Sequence, residues 1–181
     1  MPTLRTSLIA SVAALLATGA TIAATQASGH AAPPMPIHLP ENGIATLHTD
    51  VDLPASTWTN TPLEVRLPHA GTYAIDADVR GRLQGTPSVD TYITARLWNV
   101  TDNAELPYSD RLVYQLFTDN TQTAPIGGNG TAPISELVRV DRPTTIQLQA
   151  EDVTTGGKAT IAQVYSDGYG YSTLRYLRVL P

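Results

Sequence analysis

Apolar and polar residues alternate along most of this chain. In GTYAIDADVRGRL, Tyr73, Ile75, Ala77, Val79 and Leu83 share one parity, while Thr72, Asp76, Asp78, Arg80 and Arg82 share the other. That period of two is the signature of a strand with one buried and one wet face. Leu63, Val65 and Leu67 alternate with Glu64 and Arg66, and Ile146, Leu148 and Ala150 alternate with Gln147 and Gln149. Ile44 to Leu53 predicts a first strand, with Ala45, Leu47, Val51 and Leu53 in phase and Pro54 closing it. Tyr92 to Val100 sets Ile93, Ala95 and Leu97 against Tyr92, Thr94, Arg96 and Trp98, and the TDNA sequence after it predicts a hairpin turn.

Further runs at Arg111 to Phe117, Ile134 to Val140, Ala159 to Tyr165 and Ser172 to Val179 complete the pattern. Between the first two of these lies DNTQTAPIGGNGTAP, which reads as a loop made mobile by Gly127, Gly128 and Gly130. Helical periodicity is not evident after residue 43. The prediction is an all-β fold: a two-sheet antiparallel jelly-roll sandwich of about nine or ten strands, larger than an immunoglobulin-like domain. The last strand, STLRYLRVL, is apolar at both parities, with Leu174, Tyr176 and Leu180 on one and Leu177 and Val179 on the other. A strand apolar on both faces is normally covered on both, so one face is assigned to the core and the other to a loop or second subunit.

Composition adds an N-terminal address. Arg5, an uncharged apolar run from Ser7 to Ala24 and small residues around Ala27 have the layout of a secretory signal peptide spanning residues 1–27. An uncleaved anchor is the competing reading, disfavoured because alanines, threonines and Gly19 make the run weakly hydrophobic. Residues 28–43, with Pro33, Pro34, Pro36 and Pro40, read as an extended linker, and residues 44–181 as the sandwich domain. The expected product is a secreted protein with no membrane association after cleavage. Plentiful arginine, alanine and threonine with a single lysine, Lys158, suggest a bacterial origin. Without cysteine there is neither lipid attachment nor disulfide, so stability rests on packing. Loss of Arg5 leaves 10 basic against 16 acidic residues, a net charge of about −6, which argues against a nucleic-acid partner.

The chemistry for catalysis is thin. There is no cysteine nucleophile, no Gly-Xaa-Ser-Xaa-Gly and no His-Glu-Xaa-Xaa-His, and outside the linker only His48 and His69 remain. No catalytic residue, cofactor or metal is assigned. The acidic pairs Asp50/Asp52 and Asp76/Asp78 read as solvated or as cross-strand partners of arginines, and the carboxylates worth testing for calcium are Asp119, Glu151, Asp152 and Asp167. Asn99 and Asn129 each begin a glycosylation sequon, a chance match in a bacterial protein. Aromatics remain: Trp58, Tyr92, Trp98, Tyr169, Tyr171 and Tyr176 are the candidate ligand or interface residues.

The order of runs resembles a known superfamily. Trp58 in a Thr-Trp-Thr turn, Gly71 with Tyr73, Ile146 with Leu148 and Ala150, and Ser172 with Leu174 are similar to the jelly-roll superfamily of complement globular heads and tumour necrosis factors, in particular its bacterial and phage members. The likeness covers about residues 44–180. It implies compact homotrimers, one sheet of each subunit facing the three-fold axis, and a role in binding or display without catalysis. No collagen-like stalk is present, so no ligand residues carry over. The expected function is therefore a secreted non-enzymatic homotrimeric module, with Tyr92, Trp98, Tyr171 and Tyr176 near subunit contacts and a carbohydrate or protein as its ligand. A monomeric carbohydrate-binding sandwich using Trp58, Trp98, Tyr169 and Tyr171 is the alternative.

Overall fold

The computed structural model describes residues 41–119 and 123–181. The expected signal peptide and nearly all of the expected linker lie outside the described residues. Eleven strands follow in order: β1 (Asn42–Thr46), β2 (Val51–Asp52), β3 (Thr59–Leu67), β4 (Gly71–Gly85), β5 (Val89–Asn99), β6 (Ala104–Glu105), β7 (Arg111–Thr118), β8 (Ile126–Val140), β9 (Thr144–Gly156), β10 (Ala159–Val164) and β11 (Thr173–Leu180). The sandwich thus begins at Asn42, two residues before the boundary set by the apolar pattern. Among the described residues no helix is long and apolar enough to cross a membrane.

The pairings nest like those of one long hairpin rolled up. β1 and β2 pair with β11 and β10, β3 with β9, β4 with β8 and β5 with β7, all antiparallel. Cross-pairs of β4 with β10 and β11, and of β5 with β9, gather them into a six-stranded sheet (β1-β11-β4-β10-β2, with β8 on β4) and a five-stranded sheet (β3-β9-β5-β6, with β7 on β5). That is a jelly roll. The predicted parities hold: Tyr73, Ile75, Val79, Leu83, Ile93, Leu97, Ile146 and Leu148 are fully buried between the sheets.

Two expectations fail in instructive places. The glycine-rich stretch is not a mobile loop, because residues 126–131 form the first half of β8, registered one for one against β4 from Gly85↔Ile126 to Arg80↔Thr131. Its glycines admit a close neighbour: a Cβ built on Gly128 would overlap the Tyr114 hydroxyl, and one on Gly130 would lie 2.7 Å from the Val113 carbonyl oxygen. The strand expected from Ile44 to Leu53 is broken at residues 47–50, where β1 leaves β11 and β2 joins β10. The strands they pair with, β10 and β11, are separated at the same level. Val164 pairs with Gly81 and Thr173 with Asp78, so the eight residues between them bulge out opposite Val79 and Arg80.

Candidate functional site

That bulge carries the sequence YSDGYGYS, and Arg80 holds it. The outward parity of β4 aims the Arg80 side chain at the loop, where Nη1 donates to Asp167 Oδ1 at 2.6 Å and to the Gly170 carbonyl. Nη2 donates to the Tyr165 hydroxyl at 3.1 Å. Arg80 and Arg82 both stack on the buried Tyr165 ring, 4.5 and 4.0 Å from its centroid. The backbone closes the structure: Tyr165 N donates to Arg80 O, Arg80 N to Ser172 Oγ, and Ser172 Oγ to Tyr165 O. At the tip, Asp167 and Gly170 exchange both backbone hydrogen bonds, and Tyr169 N–H donates to Asp167 Oδ1 at 2.8 Å. The Arg80 hydrogen bond, then that of Tyr169 N–H, holds the Asp167 carboxyl below the usual carboxylate range. Tyr169 itself is left 97% exposed at the tip. Tyr171 is exposed beside it and meets His48 edge to face, with centroids 5.9 Å apart.

The other aromatic pair meets on the outer face of the five-stranded sheet. Arg96 lies between the two indoles, its Cζ 3.8 Å from the Trp58 ring centroid and 4.9 Å from that of Trp98. Arg96 Nε donates to Gln149 Oε1 at 2.9 Å, Gln149 Nε2 donates to Asn60 Oδ1 at 2.8 Å, and Arg96 Nη1 donates to Glu105 Oε2 at 2.9 Å. The guanidinium therefore covers one face of each indole and fixes both rings. This is a packed surface stack, with the ring area open to a sugar correspondingly reduced.

The six aromatic candidates thus fall into separate places. Trp58 and Trp98 come together, as do Tyr169 and Tyr171. Tyr92 is half-buried on the five-stranded sheet, and Tyr176 packs inward against Tyr73 at a 5.7 Å centroid distance. Of the four aromatics expected near subunit contacts, Tyr92 and Trp98 lie in β5, Tyr171 lies in the loop before β11, and Tyr176 lies in β11 with its ring turned to the core by the parity of that strand. The carboxylates do not converge either, because Asp119 follows the end of β7, Glu151 and Asp152 lie in β9, and Asp167 is engaged by Arg80. Asp152 is buried and accepts from Thr91 Oγ1 at 2.5 Å and Thr154 Oγ1 at 3.3 Å. Among the described residues no three histidines or carboxylates gather as a metal site.

Arg80, Arg96 and His48 are central to these arrangements yet carry no local signal beyond parity. Most of their partners lie at distant positions in sequence: Asp167, Gly170 and Tyr165 for Arg80, Trp58 and Gln149 for Arg96, and Tyr171 for His48.

Three surface features remain. On the outer face of the six-stranded sheet, Leu177, Ala74 and Leu137 lie in one register row, with Ile44 in the next row beside Arg175. Leu137 is 73%, Ile44 64% and Leu177 41% exposed. At the other end of that face is a hollow of about 260 Å³ over Arg82, Gln84, Gly127, Asn129 and Ile161. A cleft of about 620 Å³ runs between β9 and β10, lined by Asp52, Asp152, Thr154, Lys158 and Gln163 and without an aromatic wall.

No protein-family model matches this chain, and no curated protein matches it. Among solved structures it is similar to a mutant VP2 protein of infectious bursal disease virus in derived T=1 particles, at 11% identity and a TM-score of 0.40. The match covers 78% of this chain and 36% of that one, so the chain spans about a third of the capsid protein.

Proposed function

We propose that this chain is a secreted, non-enzymatic binding or structural module that works as a homotrimer, a bacterial member of the complement globular-head and tumour-necrosis-factor-like jelly rolls. The observation that carries this reading is the outer face of the six-stranded sheet, where Ile44, Leu137 and Leu177 stand exposed around Ala74. Contiguous apolar side chains on a wet sheet face mark an association surface. The face belongs to the sheet that contains the doubly apolar β11, whose outward residues need a cover. Several polar groups of the domain are committed to structural contacts: Asp167 to Arg80, His48 to Tyr171, and Asp76 to Arg175 and Ser135. Three copies of one surface on a rigid assembly raise apparent affinity through effective concentration, without a new contact at any single site.

Light scattering of the mature protein at micromolar concentration tests the assembly. A mass three times that of the chain is expected, and Leu137→Asp reduces it to one while leaving the circular dichroism spectrum unchanged. A wild-type monomer under those conditions overturns the reading. A monomeric carbohydrate-binding domain is the competing function, favoured by the convergence of Trp58 and Trp98. A glycan array read with Trp98→Ala and Tyr169→Ala separates the two.

A further inference from the structure

The core-facing register of the sandwich turns polar at one end. Ile146, Leu148 and Ala150 of β9 point inward, and Asp152 and Thr154 follow in the same parity. Opposite them, Thr91 sits between Val89 and Ile93 on the inward side of β5, in register with Thr154. Asp152 is only 2% exposed, and among the described residues no lysine, arginine or histidine pairs with it. Buried carboxylates are normally paired with a cation or fully hydrogen-bonded, and the protein groups around this one do neither. A carboxylate has about four lone-pair sites. Its neighbours bring two hydroxyl protons: Thr91 Oγ1 donates to Oδ1 at 2.5 Å, and Thr154 Oγ1 lies 3.3 Å from Oδ2 and 3.0 Å from Thr91 Oγ1. Thr154 gives its single proton to one of them at a time.

Asp152 also lines the cleft of about 620 Å³ between β9 and β10. The pairing of β3 with β9 ends at Thr59↔Ala150, and β2 covers β10 only at Gln163 and Val164, so both strands run on uncovered toward their turn. The chain from Asp52 to Ser56 crosses between the sheets and closes one end, with Leu53 N donating to Ala162 O and Ser56 N to Asp152 O. At the other end Gly157, with a φ of +69°, packs its turn against the Ser88 carbonyl with no room for a side chain. That turn leaves Lys158 exposed at the rim, paired with no carboxylate among the described residues. The cleft therefore has carboxylates at one end, apolar walls from Leu53, Ala55 and Ala162, and an ammonium at the other.

We infer that this cleft binds a small aliphatic zwitterion, its ammonium on Asp152, its stem along Leu53 and Ala162, and its carboxylate toward Lys158. The volume lies within the range of about 300–1,000 Å³ common to small-molecule sites. An ammonium has three donors and no acceptor, which suits a carboxylate with open lone pairs beside two hydroxyl oxygens. The attraction is strongest where water is excluded, as it is at Asp152. Calcium fits less well because it takes six to eight oxygens, and the second carboxylate of the cleft, Asp52, is held by Gln163 Nε2 at 2.7 Å. Polar side chains at core-facing positions weaken a fold unless they serve a site, and the Thr91, Asp152 and Thr154 cluster is such an exception. The cleft opens at the β9–β10 rim, away from the apolar row of Ala74, Leu137 and Leu177, so it does not depend on the assembly proposed above.

Isothermal titration of the mature protein with 6-aminohexanoate tests the site. Saturable binding is expected with a dissociation constant of about 1 mM or tighter, together with nuclear magnetic resonance shifts confined to residues 52–56 and 152–163. Asp152→Asn keeps the shape of the side chain and is expected to weaken binding about tenfold or more. Lys158→Met, at an exposed position, is expected to weaken it about two- to fivefold. Hexanoate, which lacks the ammonium, is expected not to compete. Absence of saturable binding, competition by hexanoate, or displacement of the probe by calcium overturns the inference, as does an Asp152→Asn variant of unchanged affinity. If Asp152→Asn does not fold, Lys158→Met and the hexanoate competition decide, and unchanged affinity in Lys158→Met overturns the zwitterion. A wild-type monomer that binds the probe overturns the homotrimer and leaves the cleft standing; a trimer that does not bind it has the opposite meaning.

Discussion

Gly128→Ala isolates the reason that a glycine-rich segment became a strand. At an open strand position this change limits the unfolded chain and packs a methyl group, stabilising by about 0.4–1 kcal/mol when the backbone suits alanine. Gly128 has no positive φ, so its backbone raises no objection. The obstacle is β7: the new Cβ would overlap the Tyr114 hydroxyl and lie 2.9 Å from Tyr114 Cζ. Tyr114 is half-buried against the core, so its ring cannot swing freely away. Inserting a methyl group into such a contact costs about 1–3 kcal/mol. The clash outweighs the backbone gain, leaving a net loss of about 1–2 kcal/mol, which lowers the melting temperature by roughly 3–8 °C for a domain of this size. Gly168→Ala is the control, because no heavy atom lies within 4 Å of its added Cβ, and it is expected to be neutral or slightly stabilising. Differential scanning calorimetry measures both. Tyr114→Phe removes the nearest atom and is expected to recover part of the loss in the double variant, a coupling of about 1 kcal/mol. If Gly128→Ala melts at or above the wild-type temperature, the close approach of β7 to β8 is not what the glycines serve.

Three more outcomes follow from the arginine contacts. Arg80→Met removes the guanidinium that ties Asp167, Gly170 and Tyr165 together; hydrogen exchange at residues 166–171 is expected to accelerate at least tenfold while β4 itself stays protected, and unchanged exchange would show that the backbone bonds suffice. Because the folded carboxyl of Asp167 is held below its unfolded value, its contribution is complete above the unfolded pKa of about 3.9 and fades as pH falls through the folded value. Asp167→Asn is therefore expected to destabilise at about pH 7, with the difference from wild type shrinking as the pH is taken below the unfolded pKa, as followed by urea titration at each pH. Arg96→Ala uncovers one face of both tryptophans, the only two in the chain, so their fluorescence is expected to shift to the red; an unmoved spectrum would mean that the indoles do not depend on the stack.

The sequence alone determined which residues face the core. Strict alternation in β4, β5 and β9 needs no partner to be read, because side-chain direction along a strand is a local property of the pleat. It determined the all-β class too, and it showed β11 to be apolar at both parities. What it left open was everything set by pairing across distance. The glycines of β8 look like a loop until Tyr114 is placed over them. The run from Ile44 to Leu53 looks continuous until the bulge after Val164 takes the space opposite Val79 and Arg80. Arg80 and Arg96 read as ordinary wet positions, yet one clamps Asp167 and Gly170, 87 and 90 residues away, and the other joins Trp58 to Trp98. Only the tertiary structure could decide these roles, since a hydrogen bond or a steric overlap depends on where two distant segments meet. The YSDGYGYS loop shows both levels at once: its glycines and aspartate announce a turn, but Arg80 decides which tyrosine is buried and which stands in solvent.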